Sequence, residues 1–188
     1  MNIPELTVVV TTFQRPTRLR KCLASLVKAG VREVVVSSSG GGLKESEVCD
    51  EFPTLNIQQT FRETDLGCNE TWLRGVTLAA TKYVLILHDD DWLLPEFGSA
   101  YTKEIYPHLA RGVGVATWRG QVVCDAGRAD TGEGYLRGPT RVSPTGALTT
   151  ILMNRAYLTT SPVLAVFRRD AAIRTLREAE AVFTDAGH

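Results

Sequence analysis

Short β-branched apolar runs alternate with helical patterns along the first half of the chain. Residues 6–12 (LTVVVTT) and 83–87 (YVLIL) are too short for buried helices, so each predicts a buried strand. From Pro16 the apolar residues instead recur with a helical period, and the pattern ends at Gly30. Strands and helices that alternate at this spacing favour right-handed crossovers and a mainly parallel sheet with helices on both faces. The sequence therefore predicts an α/β fold.

The same reasoning extends along the remaining residues. Further strands are expected at 31–38 and 55–61, a helix at 68–80, and a flexible, glycine-rich loop at 37–42. Beyond Pro95 the expected elements are a helix toward Arg111, short strands at 112–118 and 121–124, a loop or lid at 125–144, a strand at 163–167 and a helix at 168–182.

Composition limits the classes of protein that the chain can represent. Its 188 residues suffice for one compact domain, and the equal counts of 21 basic and 21 acidic residues give no overall field that would attract nucleic acid. The four cysteines are widely spaced and form no C-x-x-C pair, so we expect reduced thiols rather than a zinc or redox site. No signal peptide and no apolar run near the ~20 residues of a membrane span is apparent, which predicts a cytoplasmic protein without a transmembrane segment.

An acidic cluster follows the most hydrophobic of the predicted strands, in the order His88, Asp89, Asp90, Asp91 and Trp92. Ligands of open α/β sheets bind at the carboxyl ends of strands. Adjacent carboxylates repel one another, so a cation or hydrogen-bond donors are expected beside them. One or two carboxylates beside a diphosphate typically hold Mg²⁺ or Mn²⁺. The alternative is that Asp90 or Asp91 caps a helix that begins near residue 94.

Four ordered segments resemble the family 2 glycosyltransferases with the GT-A fold. Residues 8–16 (VVVTTFQRP) are similar to the family's opening strand and "PTYNRP" turn, and residues 85–95 (LILHDDDWLLP) to its "LDxDDxLxP" segment. Residues 66–75 resemble a "GxxxNWNRG" helix, and residues 161–169 the strand and "FRR" turn that open the acceptor half. The resemblance implies a Rossmann-like GT-A domain over residues 1–188, with a nucleotide-sugar-binding half at 1–95 and an acceptor half at 96–188.

The resemblance also implies roles for individual residues. It assigns donor binding to Thr12, Phe13, Arg15, Ser37 and Asp89, and metal binding to Asp90 and Asp91. The implied cofactor is Mn²⁺ or Mg²⁺, and the implied reaction is an inverting, hexosyltransferase-type transfer from a nucleoside diphosphate-sugar, a UDP-sugar by resemblance, to an acceptor hydroxyl.

Several of these assignments have structural alternatives. Phe13 could pack in the core and Arg15 could be a solvated surface charge. Arg74 could reach the diphosphate or be an exposed helix arginine, whereas Trp72 is assigned to the core by its helical spacing. Asp91 could support the cation through water or cap the next helix.

Two positions depart from the family pattern. Ser37 stands where the family's "VDDGS" segment has an aspartate that reads the base, and an uncharged hydroxyl leaves the preference for uracil open. His88 replaces the first aspartate of the fuller acidic motif, and it is not assigned a catalytic role.

The general base is not identified. Inverting transfer needs a carboxylate that accepts the proton of the acceptor hydroxyl. The family's "ED"-like motif would fall at or beyond the last residue, and no Glu-Asp or Asp-Asp pair occurs between Arg169 and His188. Asp185 is the one late candidate, and we expect the chain to be either part of a longer protein or a minimal family member.

Two other functions remain open from the sequence. A sugar-1-phosphate nucleotidyltransferase would need a glycine-rich loop after the first strand, and residues 11–15 contain no glycine. A donor-binding domain without transfer activity would account for Ser37 and for the missing base. The sequence identifies neither the donor sugar nor the acceptor.

Overall fold

The computed structural model describes residues 3–65, 67–117, 122–123, 129–130 and 165–185. The strands are β1 (Leu6–Thr12), β2 (Glu33–Ser39), β3 (Asn56–Arg62), β4 (Tyr83–His88), β5 (Val115–Thr117), β6 (Val122–Val123), β7 (Ala129–Asp130) and β8 (Ala165–Arg168). The helices are α1 (Pro16–Lys28), α2 (Leu43–Asp50), α3 (Gly67–Leu78), α4 (Phe97–Ala100), α5 (Tyr106–Ala110) and α6 (Arg169–Asp185), and a π-helical turn, Tyr101–Ile105, joins α4 to α5.

Six of the strands form one sheet in the order β3-β2-β1-β4-β8-β5. Strands β1 to β4 are mutually parallel, whereas β8 runs antiparallel to both β4 and β5. Thr11 at the end of β1 lies opposite His88 of β4, and Thr12 lies opposite Ser38 of β2. The mainly parallel sheet is therefore confirmed, and the carboxyl ends of its central strands lie side by side.

Both faces of the sheet are covered by helices, as expected. Alternate residues of β1 point to opposite faces, because side chains alternate along a strand. Val8 and Val10 belong to a core layer with Leu23 of α1, and Val9 belongs to a second layer with Val76 of α3. Leu176 of α6 packs in that second layer as well. None of the helices in the described part of the chain is both long and apolar enough to cross a bilayer.

The boundaries of the described strands and main helices follow the predictions within a few residues, with two differences. Ser37, Ser38 and Ser39 complete β2 and are buried, so the strand predicted as far as residue 38 is confirmed there, whereas the loop predicted from residue 37 begins only after Ser39. Helix α2 was not predicted. The helical segment after Pro95 begins at Phe97, and the predicted loop at 125–144 lies outside the described residues apart from β7.

Gly75 allows α3 to lie close against the sheet. A Cβ atom at this position would lie 2.3 Å from Cγ1 of Val9 and 3.2 Å from Cβ of Ser37. Val9 is fully buried and β-branched, so its side chain has little freedom to move aside. The absence of a side chain at Gly75 therefore sets the distance between α3 and strands β1 and β2.

We expect Gly75→Ala to destabilise the fold. Overpacking of this kind typically costs about 1–3 kcal/mol, which exceeds the gain of about 1 kcal/mol in helix propensity. Urea unfolding followed by circular dichroism measures the change. Thr77→Ala, at an exposed position of the same helix, is the control, and equal stability of the two variants would contradict the packing of α3 described here.

Candidate functional site

The carboxyl ends of β1, β2 and β4 form an open cleft together with the start of α3. Its volume is about 370 Å³. The lining residues come from the four loops that lie at this edge of the sheet: Thr11, Thr12, Phe13, Arg15, Ser39, Asp65, Gly67, Cys68, Thr71, Trp72, His88, Asp89 and Asp90. Of the residues predicted to bind donor or metal, Thr12, Phe13, Arg15, Asp89 and Asp90 line this cleft, whereas Ser37 and Asp91 do not.

The turn after β1 holds the aromatic ring of Phe13 at the cleft. Gln14 has a φ of 52°, and its side-chain amide donates to the carbonyl oxygen of Gly40 in the neighbouring loop. Gly40 has a φ of +67°, and a Cβ atom there would lie 2.5 Å from Cε2 of Phe13. The ring therefore rests directly on the Gly40 backbone. Phe13 is 43% exposed, which overturns the alternative that it packs in the core.

Asp89 and Asp90 occupy different environments although they are adjacent. Asp89 is 4% exposed, and its carboxylate accepts hydrogen bonds from Thr12 Oγ1 at 2.7 Å and from Arg15 Nη1 at 3.4 Å. Asp90 is 45% exposed, and its Oδ2 accepts from Arg18 Nη1 at 3.0 Å and from Arg15 Nη1 at 3.4 Å. A buried carboxylate needs such partners to offset its desolvation. Arg15 thus bridges both acids and is not a free surface charge.

Asp91 is not among the residues that line this cleft. Burial is the largest cause that raises its pKa, with a further contribution from the charge of Asp90. The helix that follows begins at Phe97 with Glu96 at its N-cap position and has no side-chain cap. The expectation that Asp90 or Asp91 caps this helix was therefore wrong.

The side chains of the cleft could hold a divalent ion only together with a bound molecule that supplies further oxygen ligands. Within the described ranges, no three His, Cys, Asp or Glu residues come together as a metal-binding group. Asp90 nevertheless offers one half-exposed carboxylate to the cleft. Mg²⁺ and Mn²⁺ accept one or two carboxylates when phosphate oxygens and water supply the remaining ligands. The oxygen ligand at Asp90 suits that arrangement.

Thr71 of helix α3 forms part of the wall of the cleft. The Thr71 hydroxyl lies 2.6 Å from Ser39 Oγ and donates to the carbonyl oxygen of Gly67. Ser37 is fully buried, and its Oγ donates to the carbonyl oxygen of Thr71 at 2.8 Å. The serine of β2 that reaches the cleft is therefore Ser39, which was not among the predicted residues.

Two further residues of the wall combine aromatic and polar character. His88 Nδ1 lies 3.0 Å from Thr11 Oγ1, and the His88 and Trp72 ring centroids are 5.8 Å apart. Trp72 both lines the cleft and packs against the second core layer, so the assignment to the core describes only part of its position.

Arg74 is not among the cleft-lining residues. Its guanidinium donates to Thr60 Oγ1 of the edge strand β3. Burial lowers the pKa of Arg74, and the nearby charge of Arg62 lowers it further.

Arg18 was overlooked in the sequence. It lies in the first turn of α1, which contains no acidic residue. A cation is disfavoured at the positive end of a helix unless an anion lies nearby. The signal that could have identified Arg18 is the pair of arginines at the start of this helix, Arg15 and Arg18, in a chain that also contains an acidic loop after a strand.

The three described cysteines differ in exposure. Cys22 and Cys49 are buried, and Cys68 is exposed at the cleft. Burial raises the pKa of the Cys22 thiol, with a smaller contribution from the acidic cluster, and raises the pKa of Cys49 to about 12.

We expect iodoacetamide at pH 8 to alkylate Cys68 at least about tenfold faster than Cys22 or Cys49, because the thiolate is the reactive form and needs access. Peptide mass spectrometry of timed samples measures the three rates. In urea the rates should become similar. Fast alkylation of Cys22 in the folded protein would contradict the burial described here.

A family model described as Glycosyl transferase family 2 matches residues 7–175. The chain is 26% identical over 109 residues to the glycosyltransferase GlyA of Streptococcus pneumoniae serotype 4, an alignment that covers 56% of this chain and 16% of GlyA.

Solved structures have a similar fold. S. aureus TarS 1-349 in complex with UDP-GlcNAc superposes with a TM-score of 0.64 at 17% identity, covering 88% of this chain and 45% of that one. The mannosyltransferase PcManGT from Pyrobaculum calidifontis, in complex with GDP-Man and Mn²⁺, gives 0.58 at 18% identity, covering 89% and 45%. The chain thus spans less than half of each of these three proteins. The expected Rossmann-like GT-A fold and the resemblance to family 2 are confirmed.

Proposed function

The chain belongs to glycosyl transferase family 2, and from that premise we propose that it takes part in the transfer of a sugar from a nucleoside diphosphate-sugar to an acceptor hydroxyl. The observation that carries the proposal is the cleft itself. It combines an exposed aromatic ring at Phe13, the buried carboxylate of Asp89 and the half-exposed carboxylate of Asp90 at the carboxyl ends of adjacent parallel strands.

The donor nucleotide is proposed to lie against the turn after β1. The exposed Phe13 ring offers a stacking surface for a base, and Thr12, Arg15 and Asp89 offer polar groups for the ribose and phosphates. Ser37 is covered by Thr71, so any contribution from it to base recognition would act through that contact. Ser39 is buried as well, but it lines the cleft, so among the serines of β2 it is the better candidate for direct contact with the base.

Asp90 is proposed to hold Mn²⁺ or Mg²⁺ together with the donor diphosphate, with Asp91 acting at most through water. The bound ion would offset the charge that develops on the leaving nucleoside diphosphate. TarS has been solved with UDP-GlcNAc and PcManGT with GDP-Man and Mn²⁺, which supports a nucleotide-sugar donor and a divalent cofactor for this chain. We propose a UDP-sugar as the donor and a hexose as the transferred group.

The proposed stereochemical course is inverting. It requires a carboxylate that accepts the proton of the acceptor hydroxyl while that oxygen attacks the anomeric carbon and the bond to the diphosphate breaks. Asp185 ends helix α6, and its side chain lies outside the described part of the structure.

Isothermal titration with UDP in the presence and absence of Mn²⁺ tests donor binding. We expect Mn²⁺ to strengthen UDP binding, and Asp90→Asn to reduce that gain at least about tenfold because it removes a charged oxygen ligand. Asp50→Asn, an exposed change on α2, should bind as the wild type does. A parallel titration with GDP measures the base preference. If neither nucleotide bound with or without Mn²⁺, the donor proposal would be overturned.

Turnover distinguishes an enzyme from a binding domain. We expect the wild type to hydrolyse or transfer from a UDP-sugar slowly, and Asp90→Ala to abolish this activity. Release of UDP, detected by a coupled assay, is the measurement. Binding without turnover in the presence of acceptors would favour the donor-binding domain, and release of pyrophosphate from UTP and a sugar-1-phosphate would favour a nucleotidyltransferase.

A further inference from the structure

The carboxylate of Asp90 is already paired with a cationic side chain of the protein, the guanidinium group of Arg18. Arg18 Nη1 lies 3.0 Å from Asp90 Oδ2, closer than Arg15 Nη1 at 3.4 Å. Both arginines contact the same carboxylate oxygen. A divalent ion that used this oxygen would compete with the guanidinium groups for it, because the ion and these groups carry charges of the same sign and repel one another at such distances.

The two arginines are not equivalent in this respect. Arg15 also contacts Asp89, which is 4% exposed, so it retains a carboxylate partner when Asp90 is taken. The one carboxylate that Arg18 contacts within the described residues is Asp90. Arg18 lies beside Asp90 and is not itself one of the cleft-lining residues. It is 48% exposed and starts from the first turn of α1, so its long side chain has room to turn toward a diphosphate bound near Asp90.

We propose that Arg18 is a donor-binding residue that exchanges partners when the donor binds. In the empty domain it neutralises Asp90. When the donor arrives, Asp90 turns to the divalent ion and the Arg18 guanidinium turns to the diphosphate. This inference rests on the proposed function. It adds a phosphate contact from α1 and a coupling between metal binding and diphosphate binding.

The proposed exchange predicts positive coupling, in which the metal and the diphosphate each strengthen the binding of the other. Without a diphosphate, the metal competes with Arg18 for Asp90 and binds weakly. With a diphosphate present, Arg18 has a new anionic partner, so displacing it costs less and the metal binds more tightly. By linkage, the metal strengthens diphosphate binding by the same factor. A neutral side chain at position 18 removes both the competition and the part of the coupling that depends on it.

The test is a Mn²⁺ titration of the whole chain, with free Mn²⁺ measured by electron paramagnetic resonance, in the presence and absence of UDP. Arg18→Gln should bind Mn²⁺ alone about three- to fivefold more tightly than the wild type, the size expected for release of an exposed ion pair. The strengthening of Mn²⁺ binding by UDP should be correspondingly smaller in this variant. Arg18→Lys, which keeps the charge, should behave as the wild type does.

Arg20→Gln is the matched control. Arg20 lies two residues further along the same helix, has similar exposure and pairs with Glu51 at 2.6 Å, whereas Arg18 pairs with Asp90. This variant removes an arginine ion pair from α1 without touching the acidic cluster, and it should leave Mn²⁺ binding unchanged.

The outcomes separate this inference from the proposed function. If Arg18→Gln binds Mn²⁺ no more tightly than the wild type, or if Arg18→Lys behaves like Arg18→Gln, the exchange is overturned. If the Arg18 variants fail in this way but Asp90→Asn still loses Mn²⁺-dependent UDP binding, the metal site proposed at Asp90 remains supported without the exchange. If the wild type binds no Mn²⁺ even with UDP, both the exchange and the metal-dependent part of the proposed function fail.

Discussion

The hydrogen-bonded register of β1 between β2 and β4 determines where every group of the site lies. The ladder places Thr11 opposite His88 and Thr12 opposite Ser38, so three strand ends reach the same edge together. One residue of slip would turn each side chain to the other face of the sheet. The apolar residues of β1 are buried on both faces, which makes such a slip costly. Core packing therefore fixes the positions of the polar groups that follow each strand.

Burial then gives adjacent acids different properties. Asp89 is enclosed, and Thr12 and Arg15 supply the donors that a desolvated carboxylate requires. Asp90 remains half exposed with only ion-pair partners, and such exposed pairs are weak and exchangeable. A run of three aspartates in the sequence thus becomes one buried acid held by hydrogen bonds at the cleft, Asp89, one half-exposed acid, Asp90, and Asp91, which is not among the cleft-lining residues.

The parts of the fold that the sequence predicted are those in which local pattern and tertiary burial agree. Strands β1 and β4 are β-branched or apolar throughout and lie in the middle of the sheet, so their positions were predictable. Helix α2 was not, because its pattern is weak: Leu43 is 84% exposed, and its buried apolar residues are Val48 and Cys49. The serines of residues 37–39 have the composition of a loop, yet pairing with β1 and β3 on both sides holds them in a strand. Long-range pairing of this kind leaves no local trace in the sequence, whereas the ion pair of Arg18 with Asp90 left one signal, an arginine in a first helical turn that contains no acidic residue.

Charge balance links these observations to the ligands that the cleft would hold. Asp89 and Asp90 contribute two negative charges, and Arg15 and Arg18 contribute two positive charges, so these four ion-paired groups balance one another. A divalent ion or a diphosphate that entered alone would upset this balance and would have to break ion pairs without replacing them. When the divalent ion and the diphosphate enter together, their charges largely cancel. The ion would then take the carboxylate of Asp90, and the diphosphate would take the arginine that the ion displaces from it. The arrangement therefore favours simultaneous binding of cation and diphosphate over binding of either alone, and the weakness of the exposed ion pairs keeps the cost of rearrangement small.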